Sequence, residues 1–259
     1  IRPLLADFEQ LYGSTGDGDG QALDKKQTGA IGAGHALQFK NIDTMPYQAS
    51  VELNLISLHL ELIEFAKALL DAPRVHCYQS HTWAKYTGEA DYDQAFHCDF
   101  GNHTLVAPAD QPSLRTVDFI FYLTDVTDAH GALHYVTKPD AFALLGEGAV
   151  AAPEEKQFEM KARERSAAGP SGTLVAHSID TFHRGTNLTE PDAKRFTMTV
   201  GYKAAGNDMI GFHVWQSAAS RPWDLIMNHA TPDQLECLGI PRPGDAFWTE
   251  RTLQLSQAR

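Results

Sequence analysis

Basic residues are scarce in this chain: 21 Lys and Arg stand against 33 Asp and Glu, a formal net charge of −12 over 259 residues. No Lys/Arg cluster could track a phosphate backbone or an anionic bilayer, which opposes nucleic acid and acidic membranes as partners. A polyanion such as a coenzyme A thioester is disfavoured on the same ground. Long apolar runs are missing too, and with them any membrane-spanning helix, which needs roughly eighteen or more such residues. Cysteine is rare. Cys77, Cys98 and Cys237 form an odd set without metal-type spacing, which argues against a disulfide framework and for a reducing, cytoplasmic setting. No secretory pattern is visible, so the sequons at Asn102 and Asn187 are expected to be idle. Repeats and linkers are absent as well. Residues 1–259 therefore read as one domain, long enough for a well-buried core.

What is present divides into three parts. Residues 1–72 read as mostly helical, with a turn-rich loop over Gly13–Gly20. Asp17 and Asp19 in that loop lack the terminal carboxylate of a calcium site. Gly29–Gly34 has the wrong glycine spacing for a dinucleotide fingerprint. Val51–Leu70 predicts one amphipathic helix with Leu55, Leu58, Ile63, Phe65 and Leu69 on its apolar face and His59 as a packing or surface residue. From Val75 the pattern turns to short strands, expected over His76–Tyr86 and near 96–107, 115–124, 132–137, 172–178, 181–184 and 195–203. Gly/Pro/Asp turns between them suggest a sandwich or barrel. Residues 139–170 should hold a helix, a loop and a lid, and 205–259 return to helices and turns. In the first strand Gln79, His81, Trp83 and Lys85 share one face, which either lines the interior or lies outside.

The chemistry-bearing residues are His97, Asp99, His183 and Arg195. With 12 histidines in the chain, a His-x-Asp arises about once by chance, so its context must carry the weight. Phe96 and Phe100 with the run Thr104–Ala107 frame it as a strand edge. In a strand His97 and Asp99 would face the same way, with Cys98 opposite. Thr181-Phe-His183 reads as a short strand, and Arg195–Tyr202 alternates as another. Two imidazoles and one carboxylate can cap one face of an Fe(II) ion and leave three positions open. Arginine suits a carboxylate because its planar fork pairs with both oxygens. His177 is the competing third ligand, and Lys85 the competing anchor.

The order His-x-Asp, distant His, then Arg resembles the Fe(II)/2-oxoglutarate dioxygenases, and from about Val75 onward the chain resembles the phytanoyl-CoA dioxygenase family among them. Thr116–Lys138 is similar to that family's core segment, with its "Leu-x-Asp-Val-Thr" strand end and Gly-small-Leu turn. His183-Arg-Gly-Thr-Asn187 resembles "His-Gly-Ser-Gly-x-Asn", shortened by one residue. Thr231–Trp248 resembles the C-terminal helix and Pro-Gly turn. Phe96 and Cys98 stand where Trp and Gln are common, a Trp near Ile120 is missing, and Thr137–Asp140 replaces "Pro-Gly-Ser-His". These departures touch the surroundings of the ligands rather than the ligands.

The resemblance implies a mainly β protein with flanking helices and a double-stranded β-helix (jelly-roll, cupin-like) core. It implies Fe(II) on His97, Asp99 and His183, 2-oxoglutarate as cosubstrate with its far carboxylate on Arg195, and dioxygen. Thr186, Gln79, Trp83 and Lys85 are the further cosubstrate candidates; Phe100, Asn102, His103, His134 and Trp215 are the substrate candidates. Asp99 favours hydroxylation, cyclisation or desaturation, since related halogenases carry a small residue there. The expected partner is a small, neutral or cationic, polar metabolite, of a natural-product or oligosaccharide type, bound by a monomer or homodimer. The rival readings are a cupin-like metalloenzyme that uses no 2-oxoglutarate and a non-catalytic jelly-roll binding module.

Overall fold

The computed structural model describes residues 2–13, 41–88, 93–104, 108–211 and 222–257. Most of the glycine-rich loop, all of Gly29–Gly34 and Trp215 lie outside them. Eight strands are described: β1 (Ile42–Thr44), β2 (Val75–Tyr86), β3 (Thr116–Tyr122), β4 (Leu133–Tyr135), β5 (Arg165–Ser166), β6 (Leu174–His177), β7 (His183–Gly185) and β8 (Lys194–Ala204). They form a five-stranded sheet in the order β1-β2-β8-β3-β6 and a three-stranded sheet in the order β5-β4-β7. Every strand pairing in both is antiparallel.

Alternation along β8 explains the large sheet. Phe196, Met198, Val200 and Tyr202 are buried in the main apolar core, so Arg195, Thr197, Thr199 and Gly201 face the other way. The same parity holds on β3, where Val117 and Phe119 join that core and Asp118, Ile120 and Tyr122 face inward. Helices α1 (Arg2–Tyr12), α2 (Val51–Leu55) and α3 (Leu60–Leu70) supply Phe8, Leu53, Ile63 and Leu70 to the same core.

The single helix expected over Val51–Leu70 is two. Ser50 caps α2 through Leu53 N (3.1 Å), a 3-10 turn covers Ile56–Leu58, and the extended backbone of His59 (φ −62°, ψ 130°) restarts the chain as α3. The break resets the helical phase. Leu58, Ile63 and Leu62 are buried as a result, whereas Phe65 and Leu69, expected inside, are each 44% exposed. His59 caps α3 by accepting from Glu61 N (3.3 Å).

The expected strand over 96–107 is also different. Only His97 is bridged, to His183, and Phe100–His103 is a short helix; residues 105–107 lie outside the described set.

Candidate metal centre

His97 and His183 exchange two backbone hydrogen bonds, of 3.0 and 2.8 Å. Such a pair sends both side chains to one face of the ladder, and the two rings lie 4.7 Å apart. Each Nδ1 sits on a carbonyl two residues back, Ala95 O at 2.9 Å and Thr181 O at 3.0 Å. A carbonyl only accepts, so each Nδ1 carries the proton and each Nε2 keeps its lone pair, the usual arrangement for ligating imidazoles.

Asp99 reaches the same point from the N-terminal end of the short helix rather than from a strand. Its Oδ1 lies 3.9 Å from His97 Nε2 and its Oδ2 3.6 Å from His183 Nε2. The ligand atoms of the three residues all fall within 4.8 Å of one another. These gaps exceed a hydrogen bond and leave room between the donors for a cation. Burial pushes the Asp99 carboxyl up, but the imidazoles of His183, His97, His177 and His103 outweigh it and hold it below the ordinary carboxylate range. Burial, with His183 close by, lowers His97, and burial lowers His183. Neutral imidazoles around an ionised carboxylate are the ligating protonation states.

Arg195 is the second feature. Burial lowers its pKa, yet a guanidinium stays charged. Its Nη1 donates to Gly131 O, while its buried Nε has no hydrogen-bond partner. Among the described residues no carboxylate pairs with it. Lys85 stands directly across from it on β2 and donates to Thr186 O (3.0 Å). Two cations opposed on an inward face suit an anionic guest. Gly131 makes the niche possible. Its φ is +73°, and a Cβ there would stand 2.7 Å from Thr186 O and 3.2 Å from Arg195 Nη1.

Register places Gln79, His81, Trp83 and Lys85 opposite Gly201, Thr199, Thr197 and Arg195, hence on the inward face. The pairing shifts between Cys77 and Gln79, so Tyr78 is an extra residue and both Tyr78 and Gln79 turn inward. They meet Asp118: Tyr78 OH donates to Oδ1 (2.7 Å), Gln79 Nε2 to Oδ1 (2.6 Å) and Thr116 Oγ1 to Oδ2 (2.8 Å). Bulges commonly re-aim side chains beside sites in this way. Gly201 leaves the space, since a Cβ there would come within 2.4 Å of Asp118 Oδ1. Burial pushes the Asp118 carboxyl up to about 7. Asp118 did not stand out in the sequence; its signal was a lone acid at an inward parity position of an otherwise apolar strand.

The remaining candidates separate. Asn102 Nδ2 donates to Asp99 Oδ1 (3.2 Å), and His103 meets the edge of Tyr78 at 5.2 Å. Phe100 is buried with Tyr78, Ile179 and Ile210. Thr186 Oγ1 donates to Ala132 O (2.7 Å). His134 lies apart, held between Asp128 (3.1 Å) and Glu164 (3.2 Å). Its strand neighbours Leu133 and Tyr135 line a cavity of about 480 Å³ that reaches His177 and His183, and His134 does not.

No protein-family model matches the chain, and no curated protein matches it in sequence. Solved structures do resemble it. EctD from S. alaskensis, with 2-oxoglutarate and 5-hydroxyectoine, aligns at TM-score 0.52 and 19% identity over 76% of this chain and 69% of that one. The epimerase SnoN, in complex with Fe3+, alpha ketoglutarate and nogalamycin RO, aligns at TM-score 0.50 and 16% identity over 63% of each chain. EvdMO1 aligns at TM-score 0.46 and 16% identity over 58% of this chain. The chain spans about a third of EvdMO1 and under two thirds of SnoN. At these identities the likeness to EctD and SnoN shows a shared fold.

Proposed function

We propose that the chain is an Fe(II)- and 2-oxoglutarate-dependent oxygenase of a small polar metabolite. Its core would be a double-stranded β-helix within one domain, in the branch typified by phytanoyl-CoA dioxygenase. The observation that carries this reading is the convergence of His97, Asp99 and His183 within 4.8 Å, with both Nδ1 atoms tied back to the chain. These residues would fill one triangular face of the ion. Iron bound with 2-oxoglutarate and dioxygen supplies the oxidising power at a substrate C–H bond. The protein's own contribution is placement. Arg195 takes the far carboxylate of 2-oxoglutarate with Lys85 beside it, and the Ala95 and Thr181 carbonyls fix the ring orientations of His97 and His183. EctD and SnoN were solved with 2-oxoglutarate, which agrees with the reading.

Anaerobic titration of the full chain with Fe(II) and then 2-oxoglutarate tests it. A metal-to-ligand charge-transfer band, with succinate formed once oxygen is admitted, is expected. His183→Ala should lose iron. Arg195→Ala should keep iron but need more 2-oxoglutarate, by about 1.5–3 kcal/mol of lost charge-assisted pairing, or roughly ten- to over a hundred-fold. Iron without the band would favour a metalloenzyme that uses no 2-oxoglutarate, and no metal at all would favour a binding module.

A further inference from the structure

In extended backbone, successive residues direct their N–H and C=O groups to opposite edges. His97 pairs both of its own with His183 on β7 (3.0 and 2.8 Å). Phe96 pairs both of its own with one side chain, Gln157, the first residue of a short helix (Gln157–Lys161). Gln157 Oε1 accepts from Phe96 N (2.7 Å), and Gln157 Nε2 donates to Phe96 O (3.0 Å). The carboxamide thus stands where the peptide of a neighbouring strand would. It is held there, because Nε2 also donates to Ala152 O (3.1 Å). Ala149 and Ala152 pack on the apolar cluster that contains Phe96 and Phe182, and Cys98 Sγ donates to Val150 O (3.2 Å).

Two peptide planes carry this contact toward the metal centre. The Ala95–Phe96 peptide donates its N–H to Gln157 and offers its carbonyl to His97 Nδ1 (2.9 Å). The Phe96–His97 peptide accepts from Gln157 and donates its N–H to His183 O (3.0 Å). A peptide is planar, so holding one end sets the direction of the other. Hydrogen bonds in a chain also polarise one another, so the bond to Gln157 makes Ala95 O a better acceptor for the Nδ1 proton. His97 Nε2 then keeps its lone pair on the side of Asp99 Oδ1, 3.9 Å away. His183 takes its orientation from a separate carbonyl, Thr181 O (3.0 Å).

We infer that Gln157 is a positioning residue: its carboxamide fixes the two peptides flanking Phe96 and through them holds His97 in the tautomer that presents Nε2 to the metal. Its service to a metal rests on the metal centre proposed above; the hydrogen-bond chain to His97 does not.

The test uses the full chain with ¹⁵N-labelled histidine, the ring resonances being assigned by their loss in His97→Ala and His183→Ala. In the metal-free chain at about pH 8, where an ordinary imidazole is neutral, both histidines should carry the proton on Nδ1. Gln157→Met keeps the length of the side chain and removes its polar atoms. It should move His97 toward the Nε2-protonated form and leave His183 in place. It should also weaken Zn(II) binding, read by competition with a chromophoric chelator, by about ten-fold. Gln157→Glu still accepts from Phe96 N, so it should return His97 to the Nδ1-protonated form and recover part of the zinc affinity. A merely structural role would disturb both histidines alike. The inference is overturned if His97 lacks the Nδ1 proton in the unsubstituted chain, or keeps it in Gln157→Met. It is equally overturned if the two histidines shift together, if Gln157→Glu does no better than Gln157→Met, or if zinc affinity stays within about two-fold. Gln157→Asn, one methylene short of Phe96, carries the same criteria should Gln157→Met not fold. An unsubstituted chain that binds no zinc would sink the metal centre itself, and the tautomer comparison on the metal-free chain would still decide whether Gln157 orients His97.

Discussion

The two sheets are built on different principles. The five-stranded sheet has long strands, eleven residues in β8 and twelve in β2, and its outer face is closed by helices over an apolar core. The three-stranded sheet has strands of two or three residues, too short to bury much surface. Its flanking residues Val136 and Phe182 rest on a smaller apolar cluster with Phe96, Ala141 and Met160, and charge and polar bonding tie the strands themselves. Arg184 on β7 pairs with Glu164 through Nε (2.7 Å) and with Asp93 (3.1 Å), and Gln94 accepts from Gly185 N (2.6 Å). Yet the small sheet carries His183 and bridges to His97, while the large one presents Arg195 and Asp118 inward. The broad sheet acts as scaffold and anchor; the narrow one sets the spacing of the two imidazoles. Metal geometry should then be separable from global stability.

The largest effect expected lies in the scaffold. Phe119 is fully buried, stacked on Phe65 (5.6 Å) and edge-on to Tyr202 (5.9 Å). Phe119→Ala should cost about 3–5 kcal/mol of unfolding free energy, while the folded fraction keeps its Fe(II) affinity. Denaturant titration beside metal titration reads both. A matching loss of metal affinity in the folded protein would break the separation.

Asp118, inward on the broad sheet, makes stability depend on pH. Its carboxyl titrates near 7 in the folded chain, against about 4 for an ordinary aspartate. The native state then binds the extra proton between those values, so stability is greatest below about pH 4 and falls as pH rises toward 7. The full difference is on the order of 4 kcal/mol. Asp118→Asn keeps an acceptor for Tyr78 and Gln79 and should flatten that slope in urea unfolding curves run at several pH values. An unaltered slope would place the titration elsewhere.

The same contrast explains what could be read from sequence. Strands β2, β3 and β8 are legible because alternation over seven or more residues fixes the element and which residues share a face, so Gln79, His81, Trp83 and Lys85 fall together by parity; that this face points inward follows only from the register with β8. The segment around Asp99 was not. Phe96–Ala107 alternates loosely enough to pass for a strand, yet the chain bends into a helix after one bridged residue, and the carboxylate still meets both imidazoles from there. The Val51–Leu70 break is not legible in the sequence because a histidine cap at His59 leaves no composition signal. The bulge at Tyr78, which turns two neighbours onto Asp118, depends on the partner strand and its Gly201, and no local pattern encodes it. His134 reads as a site residue because it is a polar residue on a strand expected beside the metal motif, but a three-residue strand gives parity too little length to settle its face.

Arg184→Met should give the smallest effect on stability and the clearest view of the narrow sheet. Arg184 is itself buried, lies over the Phe96 ring at 5.7 Å and joins Glu164 and Asp93, which are 21% and 45% exposed. Because both carboxylates reach water, losing the pair should cost far less than breaking a fully buried one, about 1–2 kcal/mol. Methionine retains much of the apolar stem that packs on Phe96. The segment bearing Asp93 and His97 would lose one of its ties to β7, leaving the Gln94–Gly185 and His97–His183 bonds, and the His97–His183 spacing would loosen. Iron affinity should therefore fall by roughly ten-fold or more, the scale seen when groups supporting metal ligands are removed. Isothermal titration with Fe(II) under anaerobic conditions, set beside urea unfolding, measures the two effects. A stability loss with unchanged metal affinity would mean that the backbone pair between His97 and His183 holds the ligands unaided, and the ion network would then be scaffold like the broad sheet.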